Sequence, residues 1–163
     1  MDNLIEKAKK IKLVGTDIDG VWTDSKMYVT PDGEWMKAFS TYDGMAVSML
    51  KKKGIIVVIL TSENTDIVLA RAKKLAIEEV YVDEHEKLKR LIYLSKKYEI
   101  SMDEIAYIGD DVNDIKTLKA VGLSGLSANS PIINDINSDY VTTRTGGQGA
   151  FREFSDLILN YQK

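Results

Sequence analysis

A chain of 163 residues, 44% hydrophobic and 29% charged, is enough for one compact domain with an ordinary core. Its 22 Lys and Arg against 25 Asp and Glu leave a formal charge of -3, which gives no reason to expect nucleic acid or an anionic membrane as partner. The absence of cysteine excludes disulfides, thiolate nucleophiles, iron–sulfur clusters and cysteine zinc sites, so any metal must be held by oxygen.

The stretch Met1 to Lys10 has no long apolar core, and the longest apolar run, Ile55 to Leu60, is far short of a membrane span, so the cytoplasm is the expected location. Apolar, β-branched runs recur at Ile11 to Val14, Ile55 to Leu60, Glu79 to Val82, Ile105 to Ile108, Gly122 to Leu126 and Tyr140 to Val141. Their alternation with helical patterns predicts an α/β fold, a doubly wound, Rossmann-like parallel sheet spanning residues 1–163 as a single domain. Between the first run and the first long helix, Lys26 to Thr30 and Glu34 to Ser40 flank Pro31-Asp32-Gly33, so residues 25–40 read as an inserted β-hairpin. A helix beginning near Asp43 carries Ala46, Met49 and Leu50, then Lys51-Lys52-Lys53 in its last turn and Gly54 as a left-handed cap. Asn64 to Leu75 places Val68, Ala72 and Leu75 on one face, and Glu84 to Tyr98 does the same with Leu88, Leu91 and Ile92. Near the end, Thr145-Gly146-Gly147-Gln148-Gly149 precedes a last helix through Asn160; it lacks the Gly-Lys-Ser/Thr ending of a P-loop and reads as a hinge or tight turn rather than a phosphate cradle.

The chemistry gathers at strand ends. Asp17-Ile18-Asp19-Gly20 follows the first run, where open α/β sheets bind ligands, and the spacing suits an ionised nucleophile beside a protonatable partner. Ile108-Gly109-Asp110-Asp111, with Asn113 and Asp114, repeats the arrangement at a second strand end. Carboxylates converging in one parallel sheet repel unless a hard cation neutralises them, and Mg²⁺ prefers such oxygen ligands. Thr61-Ser62 ends a third run and offers a hydroxyl and backbone donors, although either residue also serves as a helix cap. Lys87 stands early in a helix, where a cation opposes the dipole and needs another reason to be there. Taken singly, each of these residues reads at least as well as structural.

In order, acid pair, hydroxyl, ammonium and acid cluster resemble the haloacid dehalogenase superfamily over nearly the whole chain, with Asp17-Ile18-Asp19-Gly20, Thr61, Lys87 and Gly109-Asp110-Asp111-Val112-Asn113-Asp114 as its four motifs. The resemblance implies that Asp17 attacks phosphorus to form an aspartyl-phosphate, while Asp19 protonates the leaving alkoxide and later deprotonates water. It implies Mg²⁺ held by the Asp17 carboxylate, the Asp19 backbone carbonyl and Asp110, with Thr61 and Lys87 donating to the phosphoryl oxygens. Asp114 then orients metal-bound water or Lys87, and Asp111 either supports the ligands or caps a helix. A receiver-type signalling domain shares these residue types, but its phosphoryl-accepting Asp follows the third strand and its acid spacing differs.

Both gaps that usually hold a cap domain are short here. Asp17 to Asp24, the hairpin, Asp43-Gly44 and Gly146-Gly147-Gln148-Gly149-Ala150-Phe151-Arg152-Glu153 resemble the capless, tetrameric branch, which hydrolyses phosphates of 3-deoxy-2-ulosonic acids and uses neighbouring subunits as the cap. Tyr28, Trp35 and Phe39 then form a candidate oligomer surface, unless they pack on their own sheet. Eight-carbon enzymes of the branch usually carry Gly-Arg after the motif-two hydroxyl, whereas this chain has Thr61-Ser62-Glu63. That resembles the nine-carbon branch acting on sialic-type 9-phosphates, the favoured substrate class, with the eight-carbon 8-phosphate as alternative. Glu63 would accept from sugar hydroxyls, and Arg71 and Lys74 would bind the substrate carboxylate, unless they are a solvated helix face. Ser62 stands where the family commonly has Gly, and solitary His85 takes no role. A non-catalytic assembly module is the rival of another class; the retention of Asp17, Asp19, Lys87 and Asp110 favours an enzyme.

Overall fold

The computed structural model describes residues 2–162. In chain order the elements are α1 (Asp2–Lys10), β1 (Leu13–Thr16), β2 (Tyr28–Thr30), β3 (Gly33–Met36), α2 (Thr41–Lys52), β4 (Ile56–Leu60), α3 (Asp66–Lys74), β5 (Glu79–Tyr81), α4 (Lys87–Lys97), β6 (Ile105–Gly109), α5 (Ile115–Leu118), β7 (Leu123–Leu126), β8 (Tyr140–Val141) and α6 (Ala150–Leu159). Two 3₁₀ turns, Met102–Glu104 and Val112–Asp114, flank β6.

Six strands form one parallel sheet in the order β5-β4-β1-β6-β7-β8, and β2 and β3 pair antiparallel as a separate ribbon. The winding runs outward from β1 through β4 to β5, then returns to the other side of β1 at β6. The crevice between the ends of β1 and β6 is therefore the switch point at which such sheets place ligands.

Residues of period two divide between two cores. Val14, Val57, Ile59, Ala106 and Ile108 face α1, α2, α3 and α6, with Trp22, Phe151 and Phe154 filling that layer. Leu13, Val58, Leu60, Ile105 and Tyr107 face α4 and α5, against Leu91, Leu94 and Leu118. Because the strands are covered on both faces, they read as continuous apolar runs in the sequence.

The predicted architecture holds, with shifts at the element ends. The first strand begins at Leu13 rather than Ile11, because α1 extends through Lys10 and Ile11 N still donates to Ala8 O at 3.4 Å. α1 was not anticipated from the polar stretch that encodes it. Ser40 Oγ caps α2 by accepting from Tyr42 N at 3.2 Å, and Gly54 takes φ +75° after its last turn, as its sequence predicts. α4 differs from expectation: it buries Leu91 and Leu94, and Ile92 faces outward. Among the described residues, no helix is long and apolar enough to cross a membrane.

Candidate active site

β1 and β6 end side by side, and each hands the chain to an acid. Asp17 N donates to Ile108 O at 3.0 Å, which extends the ladder by one residue and fixes where the Asp17 side chain emerges. The chain then turns tightly, with the amides of Val21, Trp22 and Thr23 all directed to Ile18 O. Trp22 anchors this loop in the core: its Nε1 donates to Thr16 Oγ1 at 3.0 Å, and its ring centroid lies 4.8 Å from that of Phe151. Gly20 sits at φ +85°, and a Cβ there would fall 1.8 Å from Asp110 Oδ2, so only glycine lets the two acidic loops meet.

Asp17, Lys87, Asp114 and Asp110 form one buried constellation. Asp17 Oδ1 accepts from Ile18 N at 2.8 Å, and Oδ2 lies 2.8 Å from Lys87 Nζ. Lys87 Nζ also donates to Asp114 Oδ1 at 2.8 Å, which explains a lysine at the first position of α4. Asp114 is fully engaged: Oδ1 also accepts from Tyr107 OH at 2.6 Å, and Oδ2 from the amides of Asp110 at 2.9 Å and Asp111 at 3.4 Å. With both oxygens spent on four donors, Asp114 orients Lys87 and the Asp110 backbone rather than offering itself as a ligand.

The electrostatics leave this constellation short of positive charge. Burial, then the neighbouring Asp114, pushes Asp17 up to about 7 against the pull of Lys87 and Ile18 N. Burial, then Asp17 and Asp114, pushes Asp110 up to about 8. Burial opposes the charge on Lys87, but Asp17 and Asp114 outweigh it and raise its pKa. Asp17, Asp110 and Asp114 each present an oxygen within 4.8 Å of the others. Asp17 and Asp110, both held above the ordinary carboxyl range, are donors that a hard divalent cation relieves, so this pair fits Mg²⁺.

Asp19 is held differently. Its Oδ1 accepts from Lys37 Nζ at 2.7 Å and Thr23 Oγ1 at 3.1 Å, while Oδ2 is buried without a partner. Asp17, Asp19, Ser25, Thr61, Ser62, Glu63, Asp110, Asp111 and Asn113 line a cleft of about 190 Å³. Thr61 is buried at the end of β4, with Oγ1 accepting from Glu63 N at 3.3 Å, and Ser62 Oγ accepts from Asn113 Nδ2 at 3.3 Å. Asp111 caps the following 3₁₀ turn, its Oδ1 accepting from Val112 N at 2.7 Å.

Two expected substrate ligands are not brought to this cleft. Arg71 Nη2 donates to Ser40 O at 3.2 Å, and its guanidinium sits 5.6 Å from the Phe39 ring centroid, at the foot of the hairpin. Lys74 is exposed at the far end of α3. The glycine cluster is a tight turn, because its donors are spent inside the chain: Gly146 N on Asn129 Oδ1 at 2.6 Å and Gly147 N on Val21 O at 3.2 Å.

Sequence reasoning missed Lys37, Thr23 and Tyr107. Tyr107 stands inside an apolar run and reads as core filler, yet its hydroxyl reaches Asp114. Gly15 opposite is the available signal, since a Cβ there would come 2.9 Å from the Tyr107 ring.

Comparison with known proteins agrees with this geometry. The model of the haloacid dehalogenase-like hydrolase family matches residues 34–122. The chain is 36% identical over 157 residues to 3-deoxy-D-manno-octulosonate 8-phosphate phosphatase of Haemophilus influenzae, covering 96% of this chain and 87% of that protein. The Escherichia coli K12 enzyme of the same name is also 36% identical, over 96% of this chain and 84% of its own length. Among solved structures, the Moraxella catarrhalis enzyme of that name, in complex with magnesium, phosphate and KDO, superposes with a TM-score of 0.94 at 39% identity, over 99% of this chain and 93% of that one. A haloacid dehalogenase subfamily III A hydrolase of Legionella pneumophila gives a TM-score of 0.94 at 39% identity, covering 99% and 89%.

Proposed function

This chain belongs to the haloacid dehalogenase-like hydrolases, and on that premise we propose that it cleaves the phosphate monoester of a 3-deoxy-2-ulosonic acid with Mg²⁺ held by Asp17, Asp110 and the Asp19 carbonyl. It is a phosphoric monoester hydrolase. The observation that carries the reading is the pairing of two unlike carboxyls in one cleft: Asp17 clamped by Lys87 and Ile18 N, and Asp19 with one oxygen held by Lys37 and Thr23 and the other without a partner.

In the first step an Asp17 oxygen attacks phosphorus, and the bond from phosphorus to the sugar oxygen breaks. The electron pair goes to that oxygen, which takes the proton from the Asp19 carboxyl. Water then attacks the phosphorus, gives a proton back to Asp19, and releases inorganic phosphate and the Asp17 carboxylate. Bound Mg²⁺ supplies the positive charge that lets an anionic nucleophile approach an anionic ester. Lys87 and Thr61 donate to the phosphoryl oxygens, and Asp114 with Tyr107 keeps Lys87 aimed.

The named relatives favour the eight-carbon substrate, 3-deoxy-D-manno-octulosonate 8-phosphate, over the nine-carbon class expected from the sequence. One observation keeps the nine-carbon reading as second: exposed Glu63 lines the cleft, where it accepts from sugar hydroxyls. The open cleft and the exposed hairpin support a homotetramer in which a neighbouring subunit closes each site. A cytoplasmic location goes with this reading.

Phosphate release from the eight-carbon 8-phosphate and from a nine-carbon 9-phosphate, with and without Mg²⁺, tests it. Turnover of either ester that needs Mg²⁺ and vanishes in Asp17→Asn supports the reading. Inactivity toward both would leave a non-catalytic assembly module.

A further inference from the structure

Lys37 follows β3 directly, in a hairpin whose apolar side chains face outward: Trp35 and Met36 are exposed, while the Lys37 side chain is 0% exposed. A buried ammonium costs several kcal/mol unless it is paired. Lys37 is paired twice, with Glu34 Oε1 at 2.8 Å on its own ribbon and with Asp19 Oδ1 at 2.7 Å across the loop. Burial opposes its charge, yet the two carboxylates outweigh burial and raise its pKa.

The consequence falls on Asp19. A carboxylate that turns freely has no fixed direction for proton transfer, but here Thr23 and Lys37 both hold Oδ1 and Oδ2 is buried without a partner, so the Asp19 carboxyl is fixed in one orientation. We propose that Lys37 is a positioning residue, which locks the Asp19 rotamer and makes proton delivery to the leaving oxygen depend on the hairpin being in place. The inference rests on the phosphatase reading and adds a residue to it. It also gives a chemical reason for a buried cation in a ribbon whose apolar side chains are exposed.

Its signature is dependence on the leaving group. A sugar alkoxide needs the proton as the bond breaks, whereas a nitrophenolate leaves without one. In Lys37→Met, kcat for 3-deoxy-D-manno-octulosonate 8-phosphate is expected to fall about 100-fold, at the lower end of what general acid catalysis contributes, with KM changed by less than about threefold. The loss with p-nitrophenyl phosphate is expected to be at least about tenfold smaller. Because the chain has no cysteine, Lys37→Cys alkylated with bromoethylamine rebuilds an ammonium at nearly the same reach, and it should restore most of the sugar-ester turnover. Sedimentation and thermal unfolding of each protein check that fold and assembly are retained; if Lys37→Met fails to fold, the comparison of Lys37→Cys before and after alkylation decides. Equal losses on the two esters, or no rescue by the alkylated side chain, overturn the role of Lys37. Wild-type inactivity toward both esters would instead defeat the phosphatase reading itself.

Discussion

Lys87 Nζ lies 2.8 Å from Asp17 Oδ2, and its side chain is 1% exposed, so the proposed nucleophile and its counter-ion share one buried environment. Removing one member of such a pair leaves an uncompensated charge and typically costs about 3–5 kcal/mol. Lys87→Met should therefore lower both stability and turnover, with kcat down at least about 100-fold as donation to the phosphoryl group is lost. Urea unfolding alongside steady-state kinetics reads both. An unchanged kcat in the folded variant would remove Lys87 from the chemistry.

Asp110 and Asp114 should respond in opposite directions to loss of charge. Asp110 is pushed up to about 8 by burial, Asp17 and Asp114, so its ionised form burdens the metal-free protein. Asp110→Asn is expected to stabilise the metal-free protein at pH 8.5 by about 1–3 kcal/mol and to abolish stabilisation by Mg²⁺. Asp114 accepts from Lys87, Tyr107 and two backbone amides, and an amide cannot replace all four contacts. Asp114→Asn should then cost about 2 kcal/mol or more even without metal. If the two variants behave alike, the division between ligand and support is wrong.

Mg²⁺ and protons compete at this site, and the sign follows from the raised values. Folded Asp17 near 7 and Asp110 near 8 both lie above ordinary carboxyls, so metal-free stability is full below about pH 4 and declines as pH rises through 7 and 8. Mg²⁺ needs the ionised forms and reverses the trend. The rise in Tm on adding Mg²⁺ should be larger at pH 8.5 than at pH 6. Calorimetry showing the same rise at both would count against the carboxylate site.

Asp43 offers a titration away from the metal site. It is fully buried at the start of α2, with Oδ1 accepting from Arg152 N at 2.8 Å and Oδ2 unpartnered. Burial pushes it up to about 6, against Arg152 N, Arg71 and Arg144. A raised carboxyl stabilises below the unfolded value and loses that contribution as pH climbs through 6. Asp43→Asn should remove a loss of about 3 kcal/mol at most between pH 4 and 7. A wild-type stability curve flat across that range would contradict it.

Much of this was legible because the sheet is parallel and covered on both faces. Its strands therefore appear as apolar runs, and their carboxyl ends mark Asp17, Thr61 and Asp110 without any coordinates. α1 was hidden because it is mostly polar and packs through few residues, Ala8 among them. Lys37 and Tyr107 were hidden for a different reason. Their roles depend on where loops from distant positions meet, and a lysine beside Trp35 or a tyrosine between Ala106 and Ile108 has an unremarkable local pattern. Arg71 shows the converse: its type and helical spacing suit a carboxylate ligand, and the fold adds what the sequence does not carry, its engagement by Ser40 O and Phe39.

The hairpin ties assembly to chemistry. Tyr28, Val29, Trp35 and Met36 are all exposed, whereas Phe39 packs against the core, and the four leave an apolar surface unpartnered among the described residues. The ribbon adds no fully buried apolar side chain to the core, so a substitution on its outer face should spare the fold of the chain. Trp35→Glu is expected to shift the protein toward monomer in sedimentation, with Tm of the monomer near that of the parent chain. Because the hairpin holds Lys37, and Lys37 holds Asp19, turnover of the sugar ester should fall with dissociation and recover in part at high protein concentration. A Trp35→Glu protein that keeps the parent assembly and full turnover would show that this face is not the interface, and a fully active wild-type monomer would show that no neighbour is needed.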